Sequence, residues 1–165
     1  MVGPRVREKM AIVTIIPMPI ADLMGPRVVS VAPDETVQVA IARMLEENVG
    51  SVAVSEEGRL VGIFTERDLL RLAGIGREFL GLRVGDVMTR RPVTVPPDTD
   101  VLEAAKVMGE QHIRHLPIIE GEHLLGVVGI REVLRSLLER LWRDRDPEAR
   151  ETARELLERQ PSPTG

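Results

Sequence analysis

The chain has no cysteine and almost no aromatic residues. Among its 165 residues there is no Cys and no Tyr, and Phe and Trp together make up only 2% of the composition. The absence of cysteine excludes disulfide bonds and thiol catalysis, and it favours a cytoplasmic location. Because aromatic rings are so few, we expect the hydrophobic core to be built from aliphatic side chains.

The chain also lacks an excess of positive charge and a long apolar run. Its formal net charge is −4, so the basic surface that is typical of nucleic-acid-binding proteins is not expected. The longest apolar run near the N-terminus, residues 11–16, is much shorter than a membrane-spanning helix. The composition, 43% hydrophobic and 29% charged, is that of an ordinary globular domain, and no membrane partner is predicted.

What the sequence does contain is an internal repeat. Residues 61–70 recur in altered form at residues 125–134, an offset of 64 positions, and the same offset relates Met24 to Met88. Chance would not keep one register over so many positions. Since two copies are too few for a solenoid, the repeat predicts a pseudo-symmetric pair.

Each copy has the pattern of a β-α-β-β-α unit. A short strand and a Pro-Asp turn precede a helical run of apolar residues, and two strands joined by a Gly-containing hairpin loop lead into a closing helix. The predicted strands are residues 28–31, 52–54 and 60–64 in the first copy, and 93–95, 116–119 and 124–128 in the second. The predicted fold class is therefore α/β (α+β), with two such units related by a pseudo-twofold axis.

Four segments follow from this pattern. We predict a leader over residues 1–19, a first repeat over 20–80, a second repeat over 84–140 and a C-terminal helical extension over 141–165. Apolar residues recur at helical spacing from Val133 to Trp142 and from Ala149 to Leu157. An isolated module would leave much of these stripes in water, so a homodimer is expected. The alternative is that the last helix folds back on its own subunit.

Thr65 and Asp68 stand where the third strand of the first copy runs into its closing helix. A Thr at the N-cap and an acidic residue three positions later form a capping box, which needs no ligand. The same helix N-terminus also offers free amides and a positive dipole end to a phosphate. A carboxylate there can accept two hydrogen bonds from a ribose diol. The residues by themselves leave both interpretations open.

Signals for catalysis or metal binding are weak. No nucleophile–base–acid set, Walker loop or dinucleotide-binding glycine loop occurs in the chain, so no enzyme and no catalytic residue is predicted. His112 and His115 have a spacing that could suggest zinc, but a helix-to-strand break falls between them and no third ligand is close in sequence. No metal site is therefore predicted.

The order of these elements resembles the cystathionine-β-synthase (CBS) domain pair, or Bateman module. Gly62-Ile-Phe-Thr-Glu-Arg-Asp68 closes the first copy, and Asp86-Val-Met-Thr89 opens the second. Ile113-Arg-His-Leu-Pro-Ile118 is similar to the family's segment before its second strand. The resemblance covers about residues 20–140. It implies a regulatory module that binds AMP, ADP, ATP or S-adenosylmethionine in the cleft between the copies, and that often associates as a flat dimer.

The resemblance also implies roles for individual residues. Thr65 and Asp68 would contact phosphate and ribose, and basic residues before the second copy's hairpin would face them from across the cleft. The implied ligand-binding residues are Thr65, Asp68, Thr89, Val93, Arg114, His115, Leu116, Pro117 and Arg131. The second copy departs from the motif, since Gly129 and Glu132 replace the Thr and the Asp. We therefore expect one competent site and one degraded site.

The sequence thus predicts a module that senses an adenine nucleotide and acts on an effector protein in trans, since no effector domain is recognisable. Two alternatives remain at this stage. One is a ligand-free dimerisation module. The other is a nucleic-acid-associated regulator that uses Arg90, Arg91 and the Arg-rich C-terminal helices, although the acidic balance of the chain argues against it.

Overall fold

The structure, a computed structural model, describes residues 17–76 and 78–143. The first copy contains β1 (Ser30–Val31), α1 (Val37–Glu46), β2 (Ser51–Glu56), β3 (Arg59–Thr65) and α2 (Glu66–Ile75). The second copy contains the short helix α3 (Val84–Val87), β4 (Thr89–Arg90), α4 (Val101–Glu110), β5 (His115–Glu120), β6 (His123–Gly129) and α5 (Ile130–Arg143). A 3-10 turn at Ile20–Leu23 opens the first copy, as α3 opens the second. The predicted α/β fold with two repeated units is confirmed.

Two β-hairpins meet at their turns to form one sheet. The strand order is β1-β2-β3-β6-β5, and β4 pairs with β3 off this path. The hairpins β2–β3 and β5–β6 touch where Arg59 lies opposite His123. Leu60 N–H donates to the Glu122 carbonyl at 3.4 Å, and Leu124 N–H donates to the Gly58 carbonyl at 3.0 Å. The centre of the molecule is therefore the contact between the two copies.

The strand predicted at residues 93–95 is wrong in its extent. Only Val95 pairs there, in a parallel bridge to Ile118. In the first copy, Ala53 N–H donates to the Val29 carbonyl at 3.0 Å, but the position that corresponds to Ala53 is Pro117, which has no N–H to donate. The missing donor shortens the ladder.

The opening segments are exchanged between the copies. Ile20 opens the first copy but lies fully buried in the core of the second, and Val84 opens the second copy but lies fully buried in the core of the first. Ile20 N–H donates to the Thr99 carbonyl at 2.7 Å, and Val84 N–H donates to the Glu35 carbonyl at 2.8 Å. Each contact is the other shifted by 64 residues, as a pseudo-twofold relation between the copies requires.

Each unit has its own core, and both are aliphatic apart from Phe64, as the scarcity of aromatic residues predicted. The first core contains Val31, Val37, Ala40, Met44, Val52, Val54, Phe64 and Val84. The second contains Ile20, Val95, Val101, Ala104, Met108, Leu116, Ile118, Val128 and Val133. Burial of these side chains is the main stabilising contribution to the fold.

The closing helix α5 carries part of the predicted apolar stripe. Val133 is fully buried and Leu137 packs against the second core, whereas Leu134 is exposed. The leader up to residue 16 and the last predicted helix, Ala149 to Leu157, lie outside the described residues. None of the helices within residues 17–76 and 78–143 combines the length and hydrophobicity needed to cross a membrane.

Candidate ligand cleft between the two copies

The junction of β3 and α2 is built around the buried carboxylate of Asp68. Thr65 is the N-cap residue of α2, and both its backbone N–H, at 2.9 Å, and its hydroxyl, at 2.7 Å, donate to Asp68 Oδ2. Asp68 is only 5% exposed, and Arg71 Nη1 lies 3.4 Å from its Oδ1. The reach of the acidic residue back to the N-cap, which the capping-box interpretation predicted, is therefore present.

This cap does not use the whole carboxylate. An ionised carboxylate has about four lone-pair positions. Asp68 Oδ2 accepts two short hydrogen bonds, whereas Oδ1 accepts, from the residues that the structure describes, only the long one from Arg71. Oδ1 therefore keeps acceptor capacity for a further donor, and capping and ligand binding are compatible at this residue.

The second copy faces this junction across a cleft. Arg67, in the first turn of α2, donates from Nη1 to the His112 carbonyl at 3.2 Å. A methyl group placed on Gly50 would lie 3.1 Å from both Glu66 Oε2 and His115 Nε2, so these two side chains from opposite copies both lie beside Gly50, and the Glu66 carboxylate acts on the pKa of His115. The start of β5 thus lies against the start of α2, and His115 is brought to the predicted site.

The opening segment of the second copy runs beside the strand that carries Thr65. In β4, Thr89 pairs with Ile63 of β3, and the Met88 side chain lies against Gly62. Thr89 is exposed, and Val93, further along the segment, is 37% exposed. Both predicted residues therefore have accessible surface on the segment that crosses from the first unit to the second.

The remaining predicted residues divide into two groups. Arg114 is exposed just before β5, and Arg131 is exposed in the first turn of α5. Leu116 is 0% exposed within the second core, and Pro117 is buried opposite Val127 in the β5–β6 hairpin. The structure gives Leu116 and Pro117 a packing role, because neither side chain is open to a cleft.

His115 lies among charges of both signs. Burial lowers its pKa below the ordinary value of 6.5, the carboxylates of Glu66 and Glu132 act in the opposite direction, and Arg114 and Arg131 lower the pKa further. Its neutral form is therefore favoured near pH 7. In the described part of the chain, no group of three or more His, Asp and Glu side chains is arranged to hold a metal ion.

The corresponding place in the second copy has different chemistry. Glu132 Oε2 lies 2.7 Å from where a side chain on Gly129 would begin, so it fills the space that the Thr65 side chain occupies in the first copy. The offset of 64 residues also places Gly50 and Ser51 where the second copy has Arg114 and His115. Sequence reasoning missed this second difference, although the constant offset was enough to find it.

A separate cavity lies at the hairpin turns. It has a volume of about 480 Å³ and is lined by Glu56, Glu57, Arg59, Leu60, Val61, Arg91, Pro92, Thr94, Ile119, Gly121 and Glu122. Arg59 crosses it to Glu122, with a distance of 3.2 Å between Nη1 and Oε2. No predicted site residue lines this cavity, which lies at the opposite end of β3 from Thr65.

Arg90, considered for nucleic-acid binding, donates from Nη2 to the Gly85 carbonyl at 2.5 Å.

Comparison with known proteins identifies the family. The family model for the CBS domain matches residues 20–74 and 84–139. The chain is 40% identical over 111 residues to the mitochondrial CBS domain-containing protein CBSX3 of Arabidopsis thaliana, an alignment that covers 64% of this chain and 54% of that protein. It is 34% identical over 115 residues to the CBS domain-containing protein YhcV of Bacillus subtilis, covering 69% of this chain and 81% of that one.

Some relatives are much longer than the matched region. The chain spans about half the length of the Arabidopsis protein. It spans 37% of the arabinose 5-phosphate isomerase KdsD of Yersinia pestis, to which it is 32% identical over 120 residues, or 71% of this chain. CBS domain pairs are generally regulatory rather than catalytic.

Solved structures agree with this assignment. A CBS-domain protein from Agrobacterium tumefaciens superposes with a TM-score of 0.67 at 30% identity, covering 73% of this chain and 99% of that one. The structure of CBSX2 in complex with AMP superposes with a TM-score of 0.65 at 29% identity, covering 73% and 96%. The chain therefore belongs to the CBS domain family and carries two CBS domains in tandem.

Proposed function

We propose that this protein is a regulatory module that binds an adenine nucleotide in the cleft beside Thr65 and Asp68. The observation that carries the proposal is the meeting of the first turn of α2 with the start of β5, seen in the Arg67–His112 hydrogen bond and in the approach of Glu66 to His115. The AMP complex of the similar protein CBSX2 supports this ligand class.

Different residues would contact the ribose, the phosphate and the base of the nucleotide. Asp68 would accept hydrogen bonds from the ribose hydroxyls through Oδ1, which has spare acceptor capacity. Arg114, His115 and Arg131 would hold the phosphate, because two guanidinium groups suit bidentate binding of an anion. Thr65 would join them when its hydroxyl donates to the phosphate instead of to Asp68. The exposed segment from Thr89 to Val93 would line the side of the cleft where the base lies. Leu116 and Pro117 would act indirectly, by fixing the strand that carries His115.

Regulation would follow from linkage. A ligand held by both copies favours the arrangement of the copies that it binds more tightly, and the shift is limited by its difference in affinity for the two arrangements. The effector would be a separate protein, and the location would be the cytoplasm. Family relatives of several lengths are in keeping with a module that acts on different outputs.

A thermal-shift screen tests the ligand class. AMP, ADP, ATP and S-adenosylmethionine are added to the full chain, with guanosine monophosphate as the control for the base. A ligand that binds only the folded state stabilises it by about 2.7 kcal/mol at 100 times its Kd. We expect a rise in Tm with at least one adenosine compound. An unchanged Tm with all four would instead favour the ligand-free dimerisation module.

The exposed faces of the closing helices support a homodimer. Leu70 on α2 and Leu134 on α5 occupy matched positions in the two copies and are 74% and 51% exposed. Burying such a side chain against a second subunit contributes about 1.5–3 kcal/mol. We expect a dimer mass by light scattering at micromolar concentration and a monomer for the Leu70→Asp, Leu134→Asp double variant. A monomeric wild-type chain would contradict the proposal.

A further inference from the structure

Two carboxylates lie near His115 in the proposed cleft. A methyl group on Gly50 would be 3.1 Å from both Glu66 Oε2 and His115 Nε2. Glu132 Oε2 lies over Gly129, and a methyl group on Gly129 would be 3.8 Å from His115 Cδ2, the ring atom next to Nε2. The side chain that is proposed to touch the phosphate therefore has two negative groups near the same edge of its ring.

These carboxylates offset the positive charge available to a ligand. The charged groups that act on His115 are Glu66, Glu132, Arg114 and Arg131, two of each sign. With His115 neutral, these four groups together supply no net charge to balance a polyphosphate, and Arg71 is paired with Asp68. One phosphate can still make directed hydrogen bonds to the two arginines, but each further phosphate adds repulsion from the carboxylates.

The fold does not require a carboxylate at position 66. The Glu66 backbone N–H donates to the Gly50 carbonyl at 3.1 Å and so fixes the start of α2, while the side chain is exposed. At the matched position of the second copy, Ile130 N–H donates to the Arg114 carbonyl at 2.8 Å, and the side chain there is apolar. The strand-to-helix junction therefore forms equally well without an acid, which leaves the Glu66 carboxylate free to act on the cleft.

We infer that Glu66 is a specificity-determining residue, which makes the cleft select an adenosine ligand with one phosphate over a ligand with three. This inference rests on the proposed function and concerns the same site. Glu66 acts by charge, through its position beside His115, rather than by contact with the base or the ribose.

Calorimetric titration of the full chain with AMP and with ATP tests the inference, in buffer without Mg²⁺ so that the phosphates keep their full charge. The wild-type protein should bind AMP more tightly than ATP. Glu66→Gln keeps the shape and removes the charge, and it should reduce the AMP-to-ATP affinity ratio by about tenfold, mainly through tighter ATP binding. Glu103→Gln makes the same change in the first turn of α4 and should leave the ratio as it is.

The outcomes of this experiment distinguish the role of Glu66 from nucleotide binding itself. If both nucleotides bind but Glu66→Gln leaves their affinity ratio within twofold of the wild-type value, or if the wild-type protein prefers ATP, the inference about Glu66 is overturned and the proposed function stands. If no adenosine compound binds, the proposed function and the inference fall together.

Discussion

The two copies share a backbone and differ in chemistry. In each copy, an equivalent hydrogen bond fixes the junction of the third strand with the closing helix. Glu66 N–H donates to the Gly50 carbonyl, and Ile130 N–H donates to the Arg114 carbonyl. The side chains at these junctions are unrelated. What the copies keep in common is therefore the geometry that places a helix N-terminus at the cleft, and the groups that could recognise a ligand vary independently of it.

The variation falls on both sides of each cleft. The first turn of α2, which Thr65 caps, lies against the start of β5, where His115 follows Arg114. The equivalent half-sites are Gly129 with Glu132 and Gly50 with Ser51. The second cleft thus lacks the Thr65 hydroxyl, the short acid and the Arg114–His115 pair at once, although Arg67 matches Arg131, and Glu132 fills the space above Gly129. Loss of one group would weaken a site, but loss of these four groups together predicts that one nucleotide binds per chain.

The largest expected effect is at the matched acids. Asp68→Ala should weaken nucleotide binding by about ten- to a hundredfold, because a charged acceptor for two ribose hydroxyls contributes roughly 1.5–3 kcal/mol. Glu132→Ala should change the affinity far less. Calorimetry gives both the affinity and the number of sites.

Asp68 also accepts two hydrogen bonds from Thr65, so its removal affects the helix cap as well. Loss of a cap costs about 0.5–2 kcal/mol of stability, and the Tm of each variant without ligand must be measured alongside. Two equivalent sites per chain, or an equal loss of affinity in Glu132→Ala, would mean that the copies are functionally alike.

A smaller effect is expected at the matched glycines. A methyl group on Gly62 would overlap the Met88 side chain and lie 3.0 Å from the Thr89 carbonyl oxygen, which is backbone. At Gly126 it would meet the Met24 side chain, with Sδ at 2.8 Å and Cγ at 3.2 Å. A thioether can move aside more easily than a backbone carbonyl.

Gly62→Ala should therefore reduce the free energy of unfolding by about 2 kcal/mol and Gly126→Ala by about 1 kcal/mol, within the usual range for overpacking. Chemical denaturation of both variants measures the difference. Equal losses, or a larger loss for Gly126→Ala, would show that the two openings tolerate the added methyl group in the same way.

The parts of the molecule that the sequence predicts are those that depend on neighbouring residues. The repeat register, the hairpins, the Thr65–Asp68 contact and the aliphatic core all follow from local pattern. The exchange of Ile20 and Val84 between cores, the β4–β3 pairing and the approach of Glu66 to His115 depend on how the copies meet, and no spacing along the chain encodes that. The truncated strand at Val95 could have been foreseen, since Pro117 cannot donate the hydrogen bond that Ala53 makes.

The smallest expected effect is a pH dependence that only the second copy contributes, because His115 corresponds to Ser51 in the first. Burial holds the pKa of His115 below 6.5 in the folded protein, so the unfolded chain binds a proton more readily at this residue. The stabilising contribution of neutral His115 is therefore complete above pH 6.5 and is lost as the pH falls from 6.5 through the folded pKa.

The comparison of wild type with His115→Gln isolates this contribution. Between pH 8 and pH 5, the stability of the wild-type protein should fall more steeply on acidification than that of the variant. His112→Asn is the matched control, since His112 is exposed with φ of 54° and its counterpart in the first copy is Asn48 with φ of 51°. That control should keep the wild-type slope.

Nucleotide affinity should depend on pH in the opposite direction to stability. A phosphate beside His115 favours the protonated ring and raises its pKa, so affinity should increase as the pH falls below 6.5, and binding at pH 6 should take up protons. Calorimetry in two buffers of different ionisation enthalpy measures that uptake directly. Glu66 and Glu132 already favour the charged ring, whereas Arg114 and Arg131 oppose it. A bound phosphate therefore shifts His115 toward its protonated form. If wild type and His115→Gln take up the same number of protons, His115 does not touch the phosphate, and the asymmetry between the copies lies in Thr65 and Asp68 alone.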